Sequence, residues 1–168
     1  MWDGNINSSA QDSAQMLDLR NSFIEDGYAI VDLELPQDFC QEIIHDMNRI
    51  NGSINKKLNP EIYHYNEFPR LIEAWRQSEA IKKLALNKTI CSVLKELYNS
   101  EPIAFSTINF TKGTEQPMHS DYFHFGSMPE LMLAGVWVAL EDIDPKSGPL
   151  SLATRSHKSP IILRRSEF

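Results

Sequence analysis

Apolar positions change their spacing once along this chain, near Glu101-Pro102. Before that point they recur at three and four residues, the period of a helix; after it they alternate or run together, as in strands. Met16, Leu19 and Phe23 predict a first helix over Ser13–Glu25, which Gly27 stops in the left-handed conformation. Tyr28–Leu35, with Ala29-Ile-Val31 at its centre, predicts a strand. Pro36 opens a second helix whose Phe39, Ile43, Met47 and Ile50 share one face until Asn51-Gly52. A long polar loop follows from Gly52 to Glu67, and helices are predicted at Pro69–Gln77 and Ser78–Leu86. The clearest helix runs Lys88–Tyr98 behind an Asn87 cap, with Ile90, Val93, Leu94, Leu97 and Tyr98 on one face.

Beyond Pro102 the residues Ile103–Phe110 alternate, and strands are expected from there onward. The order predicts an α+β fold, a helical N-terminal half packed on a β C-terminal half. Residues 1–12 lack apolar periodicity and are expected to be a flexible tail, leaving residues 13–168 as a single domain.

Composition narrows the class. The 168 residues are 42% hydrophobic, enough for a real core without disulfides. Cys40 and Cys91 have no CxxC partner and read as buried, reduced thiols. A net charge of −7 with only short basic pairs argues against a nucleic-acid partner. No apolar run approaches a membrane span, and the first residues lack the basic-then-apolar pattern of a leader, so a cytoplasmic protein is expected.

The candidate chemistry sits in Gly113-Thr-Glu-Gln-Pro-Met-His-Ser-Asp-Tyr-Phe-His124. His119 and Asp121, two residues apart on an extended segment, point to one side and suit two adjacent ligands of one metal. With five His and ten Asp in the chain, a His-x-Asp arises by accident about 0.3 times, so the pair alone is weak. His45-Asp46, by contrast, are helix neighbours that diverge by about 100° and read as a solvated face.

Two further segments strengthen the pair: Leu133-Ala-Gly-Val-Trp-Val-Ala-Leu-Glu-Asp-Ile-Asp144 and Ser147-Gly-Pro-Leu-Ser-Leu-Ala-Thr-Arg-Ser-His-Lys158. With Phe23-Ile-Glu-Asp-Gly-Tyr-Ala-Ile-Val31 they resemble the phytanoyl-CoA dioxygenase family of non-haem Fe(II), 2-oxoglutarate-dependent oxygenases, from about Leu19 to Pro160. The resemblance implies a double-stranded β-helix (jelly roll) in the C-terminal half. It also implies Fe(II) as metal, 2-oxoglutarate as cosubstrate, and hydroxylation of a small-molecule substrate with release of succinate and carbon dioxide.

By position, His119 and Asp121 match the family's first two metal ligands, and Trp137 matches an aromatic residue set against the cosubstrate; core packing is the other reading of Trp137. His124 and His157 are further candidate ligands, although Ser156-His157-Lys158 matches an element of mainly structural role in the family. Thr154-Arg155 departs from the usual Pro-Gly there. The family's second His ligand and its basic residue for 2-oxoglutarate come later than Phe168. The resemblance therefore implies a jelly roll that is partial at its C-terminal end, with open edges suited to a homo-oligomer or a completing chain, and leaves activity of this chain in doubt. A non-catalytic, cupin-like binding module and an inactive fragment are the alternatives.

Overall fold

A computed structural model describes residues 10–53, 70–111, 113, 116–121, 125–127 and 132–159. The expected tail (as far as residue 9), most of the 52–67 loop, and His124 lie outside the described residues. The chain divides into two compact units, residues 1–32 with 152–168 and residues 33–151.

The first unit is built on helix α1, Ala10–Asp26. Gly27 ends it at φ 87°, donating its N–H to Phe23 O at 3.0 Å. The last carbonyls of a helix lack internal partners and carry the negative end of its dipole. Here the returning segment meets that need with basic residues: Arg155 N donates to Asp26 O at 2.8 Å, His157 Nε2 lies 3.0 Å from Ile24 O, and Lys158 Nζ lies 2.8 Å from Glu25 Oε2. The Lys158 ammonium holds the Glu25 carboxyl below its ordinary pKa. Arg155 adopts φ 63°, the conformation a glycine would take without strain.

The strand predicted at Tyr28–Leu35 does not form. Its residues have no ladder partner among the described residues, Ile30 is 81% exposed, and Glu34 turns the backbone at φ 46°. β-branched residues favour extended backbone, but a strand needs a neighbour to pair with.

The second unit has its core on one face of α2, Gln37–Ser53, where Cys40, Ile43, Met47 and Ile50 are buried. Leu71, Ala74, Ala80 and Ile81 close over Ile43, Met47 and Ile50, flanked by Phe39, Trp75, Leu84 and Leu140. Full burial of each large aliphatic side chain stabilises by roughly 1.5–3 kcal/mol.

The helix predicted at Pro69–Gln77 is corrected. Leu71–Ile72 form strand β1, Glu73 takes φ 58°, and Ala74–Arg76 make one 3-10 turn. Leu71, Ala74 and Trp75 do face the core at helix-like spacing, which is why the pattern misleads. The left-handed Glu73 breaks the helix, and its N–H donates to Thr107 O at 2.8 Å across the strand pair.

Helix α3, Glu79–Ala85, starts at Ser78, whose hydroxyl accepts from Ile81 N at 3.1 Å. The same buried hydroxyl hydrogen-bonds the Asp46 carboxylate on α2, so one side chain ties the two helices together. Helix α4, Lys88–Tyr98, has the predicted bounds, with Asn87 Oδ1 accepting from Thr89 N at 2.9 Å and Ile90 N at 3.2 Å.

Of the predicted strand Ile103–Phe110 only β2, Ile108–Asn109, carries a ladder, antiparallel to β1 with Leu71 opposite Asn109 and Ile72 opposite Ile108. The described elements are thus helices with a small two-stranded sheet, compatible with α+β.

Candidate active site

The expected metal pair is brought together. His119 Nε2 lies 3.3 Å from Asp121 Oδ1, and both side chains reach solvent, with 37% and 59% of their surface exposed. On the other side of the ring, His119 Nδ1 lies 2.8 Å from Pro117 O. A carbonyl can only accept, so Nδ1 carries the proton in that bond, and in the neutral ring Nε2 turns its lone pair toward the carboxylate. Nε2 and Oδ1 face each other across the width of one cation. Ligands held at roughly 2.1 Å from a metal and at right angles are about 3 Å apart, so the spacing fits two adjacent coordination positions.

Neighbouring segments hold this motif at both ends. At its start, a side chain on Gly113 would meet Gly148 O at 3.5 Å and Ser147 O at 3.8 Å. That is the turn predicted at Ser147–Leu150: Pro145–Ser147 form a 3-10 turn, Asp144 Oδ1 accepts from Lys146 N at 2.7 Å, and Gly148 reverses the chain at φ 76°. At its end, a Cβ on Gly135 would lie 3.7 Å from Asp121 Oδ2. Asp121 O accepts from Phe125 N at 3.0 Å, and the Phe125 ring meets Phe105 edge-on with centroids 6.2 Å apart. The carboxylate is thereby placed between a turn and the segment that carries Trp137.

Trp137 follows Gly135 by two positions and is half exposed. The segment is anchored at Leu133, whose carbonyl accepts from the Tyr98 hydroxyl at 2.9 Å, and at Leu140, which packs on the core. Burial pushes the Tyr98 phenol up, so the O–H stays a donor at neutral pH.

His157 is not brought to the pair's unit. It belongs to the first unit, engaged with Ile24 O, and a Cβ on Gly27 would overlap its ring. Asp46 is likewise committed elsewhere: the Ser78 hydroxyl and then the Arg49 guanidinium, at 3.0 Å, hold its carboxyl below the ordinary range. Among the described residues no group of three His, Cys, Asp or Glu converges on a metal position. A groove of about 580 Å³ lined by Phe39, Glu79, Lys82, Lys83, Leu86 and Lys88 includes none of the candidate site residues.

Sequence reasoning missed the Pro117 carbonyl, the close approach of Gly135 and the Tyr98 anchor. Pro117 is legible two positions before the histidine. The Tyr98 contact spans 35 residues and leaves no local signal.

A family model described as Phytanoyl-CoA dioxygenase (PhyH) matches residues 23–168. No curated protein and no solved structure matches.

Proposed function

Because the chain belongs to the phytanoyl-CoA dioxygenase family, whose members use Fe(II) and 2-oxoglutarate, we propose that it is a 2-oxoglutarate-dependent dioxygenase acting on a small-molecule substrate. The observation that carries the reading is the His119–Asp121 pair, with Nε2 and Oδ1 3.3 Å apart and the imidazole oriented by Pro117 O. His119 Nε2 and Asp121 are the side chains that would hold the iron. When bound, Fe(II) with 2-oxoglutarate supplies oxidative decarboxylation coupled to hydroxylation of a carbon–hydrogen bond.

The protein's own residues do simpler work. The Pro117 carbonyl takes Nδ1, so Nε2 is the ring nitrogen on the side of Asp121. Gly135 keeps a side chain away from Asp121, and the half-exposed Trp137 offers a flat apolar face for the cosubstrate. We assign the jelly roll of the family to the extended runs after Ile103, of which β2 carries a ladder.

The test is formation of succinate from 2-oxoglutarate by the purified chain with Fe(II) under air. Succinate above a metal-free control, lost in Asp121→Ala, supports the reading. Binding of 2-oxoglutarate with no succinate supports a cupin-like binding module instead.

A further inference from the structure

We infer that Tyr98, at the end of α4, is a positioning residue for Asp121, acting through the segment Leu133–Trp137; the inference rests on the metal reading of the His119–Asp121 pair. The chain of contacts is short. The Tyr98 hydroxyl donates to Leu133 O at 2.9 Å, and two residues on, the backbone passes beside Asp121, where a Cβ on Gly135 would lie 3.7 Å from Oδ2.

The tie matters because few other contacts fix this segment among the described residues. Residues 132–139 have no ladder partner among the described residues. Met132 N donates to Ser127 Oγ at 3.0 Å and Leu140 packs on the core, so the stretch facing Asp121 depends on Tyr98 between those points. Tyr98 itself is well founded: α4 is capped by Asn87, buries Val93 and ends at Asn99 in the left-handed conformation at φ 49°. A half-buried phenol on a rigid helix thus fixes one backbone carbonyl of an otherwise unladdered run. A direct hydrogen-bond partner of a ligand typically changes metal affinity about 10-fold or more when removed, and a support one contact further out is expected to change it less.

The experiment compares wild type, Tyr98→Phe and Val93→Ala with two readouts. Tyr98→Phe removes one oxygen and keeps the ring; Val93→Ala destabilises the same helix without touching Leu133. The first readout needs no metal: the ¹⁹F resonance of fluorotryptophan at position 137, assigned with Trp137→Phe. The second is the dissociation constant for Co(II) added alone. We expect Tyr98→Phe to move the Trp137 resonance toward its unfolded position and to weaken Co(II) severalfold, while Val93→Ala leaves both near wild type. An unchanged resonance and Co(II) constant in Tyr98→Phe, or equal changes in Val93→Ala, overturns the inference. If wild type binds no Co(II), the metal reading fails, and the resonance still decides whether Tyr98 fixes the segment: a shift in Tyr98→Phe alone upholds it, no shift overturns it.

Discussion

His119 and Asp121 face each other with Nε2 3.3 Å from Oδ1, while the far nitrogen of the same imidazole is 2.8 Å from the carbonyl of Pro117. The second distance gives the first its meaning. With Nδ1 committed to a carbonyl, the ring is oriented before any metal arrives, and the entropic cost of ordering it is already met.

Gly135 lies beside the exposed Asp121 carboxylate. Gly135→Ala puts a methyl at ordinary contact distance from Oδ2, 3.7 Å, and is expected to leave folding nearly unchanged. Gly135→Leu sets a branched side chain beside the carboxylate. It is expected to weaken Co(II) binding by an order of magnitude or more at a similar melting temperature, which titration beside thermal melts would check.

Gly27 is required twice, by its φ of 87° and by the His157 ring packed where its side chain would be. Gly27→Ala is expected to destabilise by roughly 2 kcal/mol, since the left-handed conformation alone costs about 1–2 kcal/mol. His157→Ala is expected to cost less, and in that background Gly27→Ala should become milder. A double-mutant cycle by urea denaturation measures the coupling.

Asp46 links acid stability to the α2–α3 contact. Its folded pKa is depressed, first by the Ser78 hydroxyl and then by Arg49. The contribution is therefore fully present above the unfolded value, about 3.9, and is lost as pH falls through the folded one. Thermal melts should show stability dropping below about pH 4, with a shallower drop in Asp46→Asn because an amide has no proton to gain. Ser78→Ala removes the cap of α3 as well, and is expected to cost about 1–2 kcal/mol at neutral pH.

Features written in local sequence were legible, and those made by distant contacts were not. Helix α4 follows from its Asn87 cap and unbroken apolar face, and the His119–Asp121 approach from a spacing of two. Leu71, Ala74 and Trp75 show where the reading failed. A helix was expected through them, but the backbone here pairs with β2 through residues nearly 40 positions later, and Glu73 turns left-handed to make the join. At Tyr28–Leu35 the residues favour a strand, but strand formation depends on a pairing partner that local composition does not encode. The Tyr98–Leu133 bond is hidden for the same reason, because only the folded chain brings its ends together.

The central claim is that this chain uses His119 and Asp121 to hold iron with 2-oxoglutarate. The most direct test is the visible absorption of the purified protein mixed anaerobically with Fe(II) and 2-oxoglutarate, with Asp121→Ala beside it. The account predicts a weak charge-transfer band of the chelated complex in the wild type that is lost in the variant. Equally blank spectra, or a band that survives in Asp121→Ala, would contradict it.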